Sequence, residues 1–449
     1  MRVVVAGAGN FGFSVASLLA YEGYGVVVLE GDAARCQEVN NSVDCMVIEC
    51  DISEASVYAR PDVAEAEMFV ACTGDDEKNL IAALLAKSAG VRQTVAIVRN
   101  ENYNLQSARV LKDRCGVDFL LNPEEITARE ISRILTASSS LEVDEFAGGQ
   151  VKMFEARLPE GHVLVGKSLA SGVLPDSVLA ALILRRSRVL IPHGGDVFQS
   201  GDLVYFVGMA DAISEFSGSF HEVYEKPRRV LMIGAGRTGQ VVAPLLEKHG
   251  MAVKAIEKDQ RRCEMLAGKL RNGMVLCGDG TDIDLLNEEG VDKADVVIAV
   301  TDDDKLNLMT ALLTKHLGAK RTLVRVANDE YSTLMDKVGI DWVLSIQSLA
   351  AAEVLRLAHG QGVENVALLE AADSEALELT VGAGSPVNGK LLKDLALPED
   401  ALICAVVGRS GAVIPHGGTL LEEGDRVVLM TRAGNGPEIA RYFGAGSEL

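Results

Sequence analysis

The chain repeats itself, and any fold proposed for it must be built twice. VVVAGAGNFG at residues 3–12 returns as VLMIGAGRTG at 230–239, which sets Gly7 and Gly234 227 residues apart. The same spacing joins Glu30, ending VVVLE, to Glu257, ending VKAIE. FVACTGDDEKNLIAALLAK at 69–87 returns as VIAVTDDDKLNLMTALLTK at 297–315, with Thr73 and Thr301 now 228 apart, so one residue has been inserted between. A shorter likeness follows each: VGKSLA, IPHGG and SGDLVYFVG within 165–208 return as NGKLLK, IPHGG and EGDRVVLMT within 388–431, where His193 matches His416 at a spacing of 223. Such a fixed period says more about architecture than local propensity does. A length of 449 residues allows two to four domains, and the repeat selects four in two like pairs: 1–138, 139–224, 228–362 and 363–449. EKPRR at 225–229 is the central linker.

The larger units alternate short β-branched runs with helical patterns. In the first, residues 3–5, 26–29, 46–48, 68–72 and 95–98 read as strands, and 11–21 and 78–89 as helices. Strands so continuously apolar, separated by helices, belong to a parallel sheet covered on both faces. The fold class expected is α/β, with two Rossmann-like, doubly wound parallel-sheet domains. Each closes with an amphipathic stretch, 123–135 and 348–358, suited to packing on its own sheet or to crossing onto a partner subunit. The smaller units have short strands broken by Gly-Gly and Gly-Asp turns, which suggests a small α+β domain with a mixed or antiparallel sheet.

Composition narrows the partners. With 43 Lys and Arg against 64 Asp and Glu, the net charge of −21 disfavours nucleic acid and anionic lipid. No run approaches the ~18 apolar residues of a membrane span. The amino terminus is already a buried-strand pattern without signal-peptide character, so residence in the cytoplasm is expected. The eight cysteines (36, 45, 50, 72, 115, 263, 277 and 404) form no CxxC pair and indicate neither a zinc site nor a redox dithiol.

GxGxxG alone is a weak motif, but here its context is complete. Gly7, Gly9 and Gly12 follow a predicted strand and open a predicted helix, and Glu30 ends the next strand. Gly234, Gly236, Gly239 and Glu257 repeat the pattern. The first Gly permits the tight turn, the second lets backbone N–H groups approach a phosphate, and the third lets helix and strand pack closely. Phosphate then meets the positive end of a helix. A carboxylate at Glu30 or Glu257 accepts hydrogen bonds from ribose hydroxyls and repels a 2′-phosphate, favouring NAD or NADH over NADP. ATP and ADP offer the same ribose and phosphates and stay open as ligands. Thr73 and Gly74, and Thr301 and Asp302, stand past the fourth strand at the carboxyl edge where open sheets bind ligands. Arg99 is the candidate cation for a second phosphate, whereas the second copy has Ala327 at that place and Arg325 two residues earlier. CGDGT, containing Asp279, stands against CDISE in the first copy, a further sign that the two sites differ. The acidic clusters 75–77 and 302–304 read as first-turn helix residues and not as a metal site.

Catalytic groups are not apparent. His193 and His416 sit in matching PHGG turns with no repeated acidic or nucleophilic partner, and HExxH, GxSxG and GxxxxGK are absent. Two nucleotide folds, each with its own small domain, look more like a sensor than a catalyst; an NAD-dependent oxidoreductase is the alternative.

GAGNFG with Glu30, VACTGDDEKN, IVRNENY, the NPEE helix, EKPRRVLMIGAGRTG with Glu257, CGDGTD and VTDDDKLN together resemble the regulator of potassium conductance (RCK, or KTN) family over essentially the full length. The resemblance implies a cytoplasmic protein that docks beneath a potassium-translocating membrane subunit and gates it in response to nucleotides. It places nucleotide contacts at Gly7, Ala8, Gly9, Asn10, Phe11, Glu30, Thr73, Gly74 and Arg99. In the second copy they fall at Gly234, Ala235, Gly236, Arg237, Thr238, Glu257, Thr301 and Asp302. Repeated domains with crossing helices favour a ring-like homo-oligomer, dimer or tetramer. A sensor serving a different cation transporter is a further alternative.

Overall fold

The computed structural model describes residues 1–100, 103, 116–136, 143–185, 188–220, 227–327, 331, 335, 338–359, 363–369, 374–398, 400–409, 411–432 and 434–444. The boundaries expected at 138, 224 and 362 lie outside the described residues, as do Glu101, Asn102, Cys115, and Glu225 and Lys226 of the linker.

The first glycine motif opens a six-stranded parallel sheet in the order β3-β2-β1-β4-β5-β6. Its strands are β1 (Arg2–Ala6), β2 (Gly25–Glu30), β3 (Met46–Glu49), β4 (Met68–Ala71), β5 (Gln93–Ile97) and β6 (Phe119–Leu121). Val3, Val4, Val5 and Ala6 are wholly buried, as strands covered on both faces must be. The connecting helices are α1 (Asn10–Tyr21), α2 (Ala33–Ser42), α3 (Ala55–Tyr58), α4 (Pro61–Ala64) and α5 (Asp76–Ser88), and α6 (Pro123–Thr136) follows β6. Asp32 caps α2 and Asp75 caps α5 by accepting first-turn N–H groups, so the acidic cluster at 75–77 does open a helix. The strand order reverses between β1 and β4, which opens a crevice at the carboxyl ends of these two strands.

The first small domain is antiparallel, in the order β10-β9-β11-β8-β7, with β7 (Val143–Phe146), β8 (Val151–Arg157), β9 (Val178–Arg185), β10 (Arg188–Leu190) and β11 (Leu203–Met209), followed by α7 (Ala210–Ser217). The second large sheet repeats the first as β14-β13-β12-β15-β16-β17: β12 (Arg229–Ile233), β13 (Ala252–Glu257), β14 (Met274–Cys277), β15 (Val296–Ala299), β16 (Thr322–Val326) and β17 (Trp342–Ser345). Its helices are α8 (Arg237–Lys248), α9 (Gln260–Lys269), α10 (Ile283–Glu288), α11 (Asp304–His316) and α12 (Ile346–Ala358). The second small sheet is antiparallel in the order β18-β19-β22-β20-β21, comprising β18 (Val363–Leu369), β19 (Ser374–Thr380), β20 (Ala401–Gly408), β21 (Gly411–Val413) and β22 (Arg426–Arg432), before α13 (Gly436–Tyr442).

The chain divides into two compact units. One holds the described residues of 1–20, 24–136 and 226–354; the other holds those of 21–23, 137–225 and 355–449. Within the first unit the amphipathic helix finds a partner that neither expectation named. Ala128, Ile131, Ile134 and Leu135 of α6 share a core with Val242, Ala243 and Leu246 of α8 and with Val230 and Met232 of β12. The helix thus crosses from the first sheet domain onto the second half of its own chain. Gln347 of α12 answers from the other side, accepting from the Ser14 hydroxyl of α1 at 3.5 Å.

Candidate functional site

Each glycine loop is shaped by contacts that only glycine permits. Gly7 has φ +100°, and a Cβ there would lie 3.0 Å from the Thr73 backbone nitrogen. A Cβ on Gly12 would lie 1.8 Å from the Gly7 carbonyl oxygen, so this position is reserved for the close approach of α1 to β1. At Gly9 the nearest atom is Arg35 Nη1, 4.0 Å away, which leaves a cradle open at the start of α1. In the second copy Gly234 has φ +103°, and Gly239 would place a Cβ 2.2 Å from the Gly234 oxygen. The loops therefore fit a phosphate: open backbone at the middle glycine, at a helix N-terminus.

Glu30 ties the loop to the sheet. One carboxylate oxygen accepts the Ala8 N–H at 2.6 Å, and the other accepts those of Gly31 and Asp32 at 2.8 and 2.9 Å. A carboxylate has about four acceptor positions, so room remains for a ribose hydroxyl. Glu257 does the same with Ala235 and Asp259 at 2.7 and 3.0 Å. Asn10 begins α1 and Arg237 begins α8, with Phe11 and Thr238 next in line.

Two pairs of residues escaped the sequence reading. Arg35 Nη1 donates to the Ala8 carbonyl at 3.1 Å, and Arg262 Nη1 stands 3.6 Å from the Cβ position of Gly236, so each loop has a guanidinium beside it. Fully buried Asn79 accepts the Thr73 N–H at 2.8 Å and hydroxyl at 2.7 Å, and its amide donates to the Ile97 carbonyl at 2.8 Å. Asn307 holds Thr301 and Arg325 in the same way. These amides clamp the end of one strand to the next and fix the threonine at the crevice. The signal was present: Arg35 and Asn79 recur at the spacings of the repeat.

Beyond the loops the copies diverge. Arg99, expected to meet a phosphate, donates through Nε to Glu124 at 2.8 Å, forms a second short contact to it through Nη2, and lies 5.7 Å from the Phe11 ring centre. Glu124 is buried at the start of α6, and its other oxygen has no hydrogen-bond partner among the described residues. The Arg99 N–H is held by Asp76 and the Ala327 N–H by Asp304, which makes Ala327 the positional counterpart of Arg99. Phe11, Arg99 and Glu124 are thus replaced together by Thr238, Ala327 and Gln347. Arg325 is buried instead, donating to the Thr301 carbonyl at 3.0 Å and lying 3.8 Å from Asp302. Burial pulls its pKa below the ordinary guanidinium value against the carboxylates of Asp302 and Asp304, and the charge of Arg99 pulls the same way. Gly74 brings no carboxylate to the first cradle, whereas Asp302 brings a carboxylate oxygen within 3.7 Å of the Gly236 Cβ position.

One expected difference is corrected. Glu257 is paired with Cys277 and Glu30 with Glu49 in the sheets, so Asp279 corresponds to Asp51 and not to Ile52, as setting CGDGT against CDISE implied. Asp51 accepts from Ser53, and Asp279 from Thr281, closing the same turn, and these hydrogen bonds hold both carboxyls below the usual range. The PHGG histidines likewise belong to turns: the His193 N–H donates to Asp196, and the His416 ring accepts from Gly418.

Comparison with known proteins agrees with this architecture. The TrkA-N domain model matches residues 3–123 and 230–346, and the TrkA-C domain model matches 153–221 and 376–444. A Trk system potassium uptake protein TrkA homolog of Archaeoglobus fulgidus is 35% identical, over 96% of this chain and 97% of that one. Homolog 1 of Methanosarcina mazei is 34% identical, over 99% and 100%, and TrkA of Vibrio alginolyticus 30%, over 96% and 95%. Among solved structures, the GsuK channel bound to NAD shares the fold with a TM-score of 0.60 at 19% identity, covering 98% of this chain and 78% of that one. With both domain models matched twice in order and relatives aligned end to end, the chain belongs to the Trk system potassium uptake protein TrkA family.

Proposed function

We propose that this chain is the nucleotide-sensing regulatory subunit of a potassium uptake system. It binds NAD(H), ATP or ADP at the two glycine loops and gates a separate TrkH/TrkG-like potassium-translocating membrane subunit from the cytoplasmic side, assembled as a homo-oligomer. The carrying observation is α6. Its first turn supplies Glu124 to Arg99 at the edge of the first site, while its apolar face packs on α8, the helix that opens the second glycine loop. A change at either loop therefore has a solid path to the other. The relatives' names support the potassium link, and the fold shared with the GsuK channel bound to NAD fits it. No helix among the described residues is long and apolar enough to cross a membrane, consistent with a separate translocating subunit.

A bound nucleotide supplies a polyphosphate and a ribose. The backbone amides at Gly9 to Phe11 and Gly236 to Thr238 would hold the former, with Glu30 and Glu257 facing the latter. Only a difference in affinity between two conformations can drive a gate; a ~100-fold difference supplies about 2.7 kcal/mol per site. Calorimetry with NAD, NADH, ATP and ADP should show saturable binding that Gly9→Val weakens. Co-purification should bring down a potassium-translocating membrane protein whose flux changes with nucleotide. Binding of none of the four, or steady hydride transfer to a substrate, would overturn the reading.

A further inference from the structure

The second sheet domain carries a pair of thiols that sequence spacing conceals. Cys263 and Cys277 are 14 residues apart and form no CxxC motif. The fold brings them together, because Cys263 lies in the first turn of α9 and Cys277 ends β14, the strand beneath that helix. Cys263 is buried and its thiol donates to the Glu257 carbonyl at 3.2 Å; Cys277 is exposed, with its sulfur 3.8 Å from the Lys258 carbonyl. The Cys263 sulfur also lies 3.9 Å from the carbonyl of Leu276, the residue before Cys277, and Glu257 is paired with Cys277 in the sheet, so both thiols sit at the carboxyl end of the same pair of strands.

We propose that Cys263 and Cys277 form a reversible disulfide that lowers nucleotide affinity at the second site; the effect on affinity rests on the function proposed above. The oxidant is a low-molecular-weight disulfide, RSSR. The Cys277 thiolate attacks one of its sulfurs, giving a mixed disulfide and a first RSH. Cys263 sulfur then attacks Cys277 sulfur and expels the second RSH. Two protein S–H groups are oxidised to one S–S bond, one RSSR is reduced, and both protons end on the two RSH.

The order of events follows from exposure. Cys277 is exposed and meets the reagent, whereas Cys263 is buried, and burial raises its thiol pKa, so it is shielded from RSSR and reacts only with the sulfur brought beside it. The path to the site is short. Glu257, whose carbonyl takes the Cys263 S–H, holds the glycine loop through Ala235. Arg262, next to Cys263, reaches to the Gly236 cradle. Drawing the sulfurs to the ~2 Å of a covalent bond removes the donor to Glu257 and shifts the turn that carries Arg262. The first half is the internal control: its sheet register puts Glu49 where Cys277 stands, and Cys36 has a carboxylate in place of a thiol at that position.

The test uses the full chain carrying Gly9→Val, which silences the first site. After incubation with oxidised glutathione and alkylation, peptide mapping should find Cys263 joined to Cys277. Cys263→Ser should stop at glutathione on Cys277. NADH titrated by calorimetry should bind about tenfold more weakly after oxidation, regain affinity with dithiothreitol, and be indifferent to oxidation in Cys277→Ser. A bridge between Cys36 and Cys50 instead, no bridge, or a bridge that leaves NADH affinity unchanged would overturn the proposal. A bridge in a chain that never binds nucleotide overturns the function proposed above and, with it, the effect on affinity.

Discussion

The three glycines of each loop do different work, and substitution should separate them. A methyl at Gly12 or Gly239 meets a carbonyl oxygen at 1.8 or 2.2 Å, so Gly12→Ala should cost roughly 1–3 kcal/mol of stability in chemical denaturation, as overpacking does. Gly9→Val has open space around its Cβ and should leave the unfolding midpoint nearly unchanged while abolishing binding at the first site. At the second site Asp302 holds negative charge over the cradle, and Arg325 is its ion-pair partner. A like charge ~4 Å from a phosphate costs about 1 kcal/mol even at the dielectric of water. Asp302→Gly should therefore tighten ADP at this site at least about fivefold, measured by calorimetry. The loop glycines and the two glutamates were legible in the sequence because their roles arise from the backbone of their own βαβ unit. Recurrence in the repeat marks Arg35 and Asn79 but not their roles, because each acts on a carbonyl supplied by another strand or turn, Ala8 and Ile97. The Asp279 misalignment arises differently: the change of spacing from 227 to 228 reports one inserted residue but not its place, which strand pairing fixes.

Among the elements, α6 shows how far periodicity reaches. Its apolar spacing over 123–135 announces an amphipathic helix, and the helix runs Pro123–Thr136. What that face covers could not be read, since a stripe of Ile and Leu fits any apolar partner of matching shape. Ile131 is wholly buried in the shared core. Ile131→Ala should cost about 2–5 kcal/mol and, by loosening α6 from α8, reduce nucleotide affinity at both sites. Equal loss at the first site alone would mean that the helix serves its own half only.

On the scale of the whole molecule, the second compact unit holds a buried cluster of ionisable groups. Glu22 accepts the Gly434 N–H at 2.8 Å, and His359 lies 3.5 Å from Glu375, with both of these side chains wholly buried. Burial first, and the charge of Glu375 second, raise the Glu22 pKa from 4.5 to about 7. An acid whose folded pKa is raised favours folding below its unfolded value and withdraws that contribution as pH climbs through the folded one. Stability should accordingly fall across the interval from 4.5 to about 7, and Glu22→Gln should flatten the slope in denaturation curves taken on either side of it. The exchange of α6 between halves has a last consequence, one of stoichiometry. Two like modules, one of which buries its crossing helix in the other, stand within one polypeptide as two subunits of a dimer would, and their two sites carry different residues. Residues 1–224 and 228–449 produced as separate polypeptides should recombine in trans. Any assembly of the intact chain will present binding sites in two equal and unlike populations, whatever the number of chains.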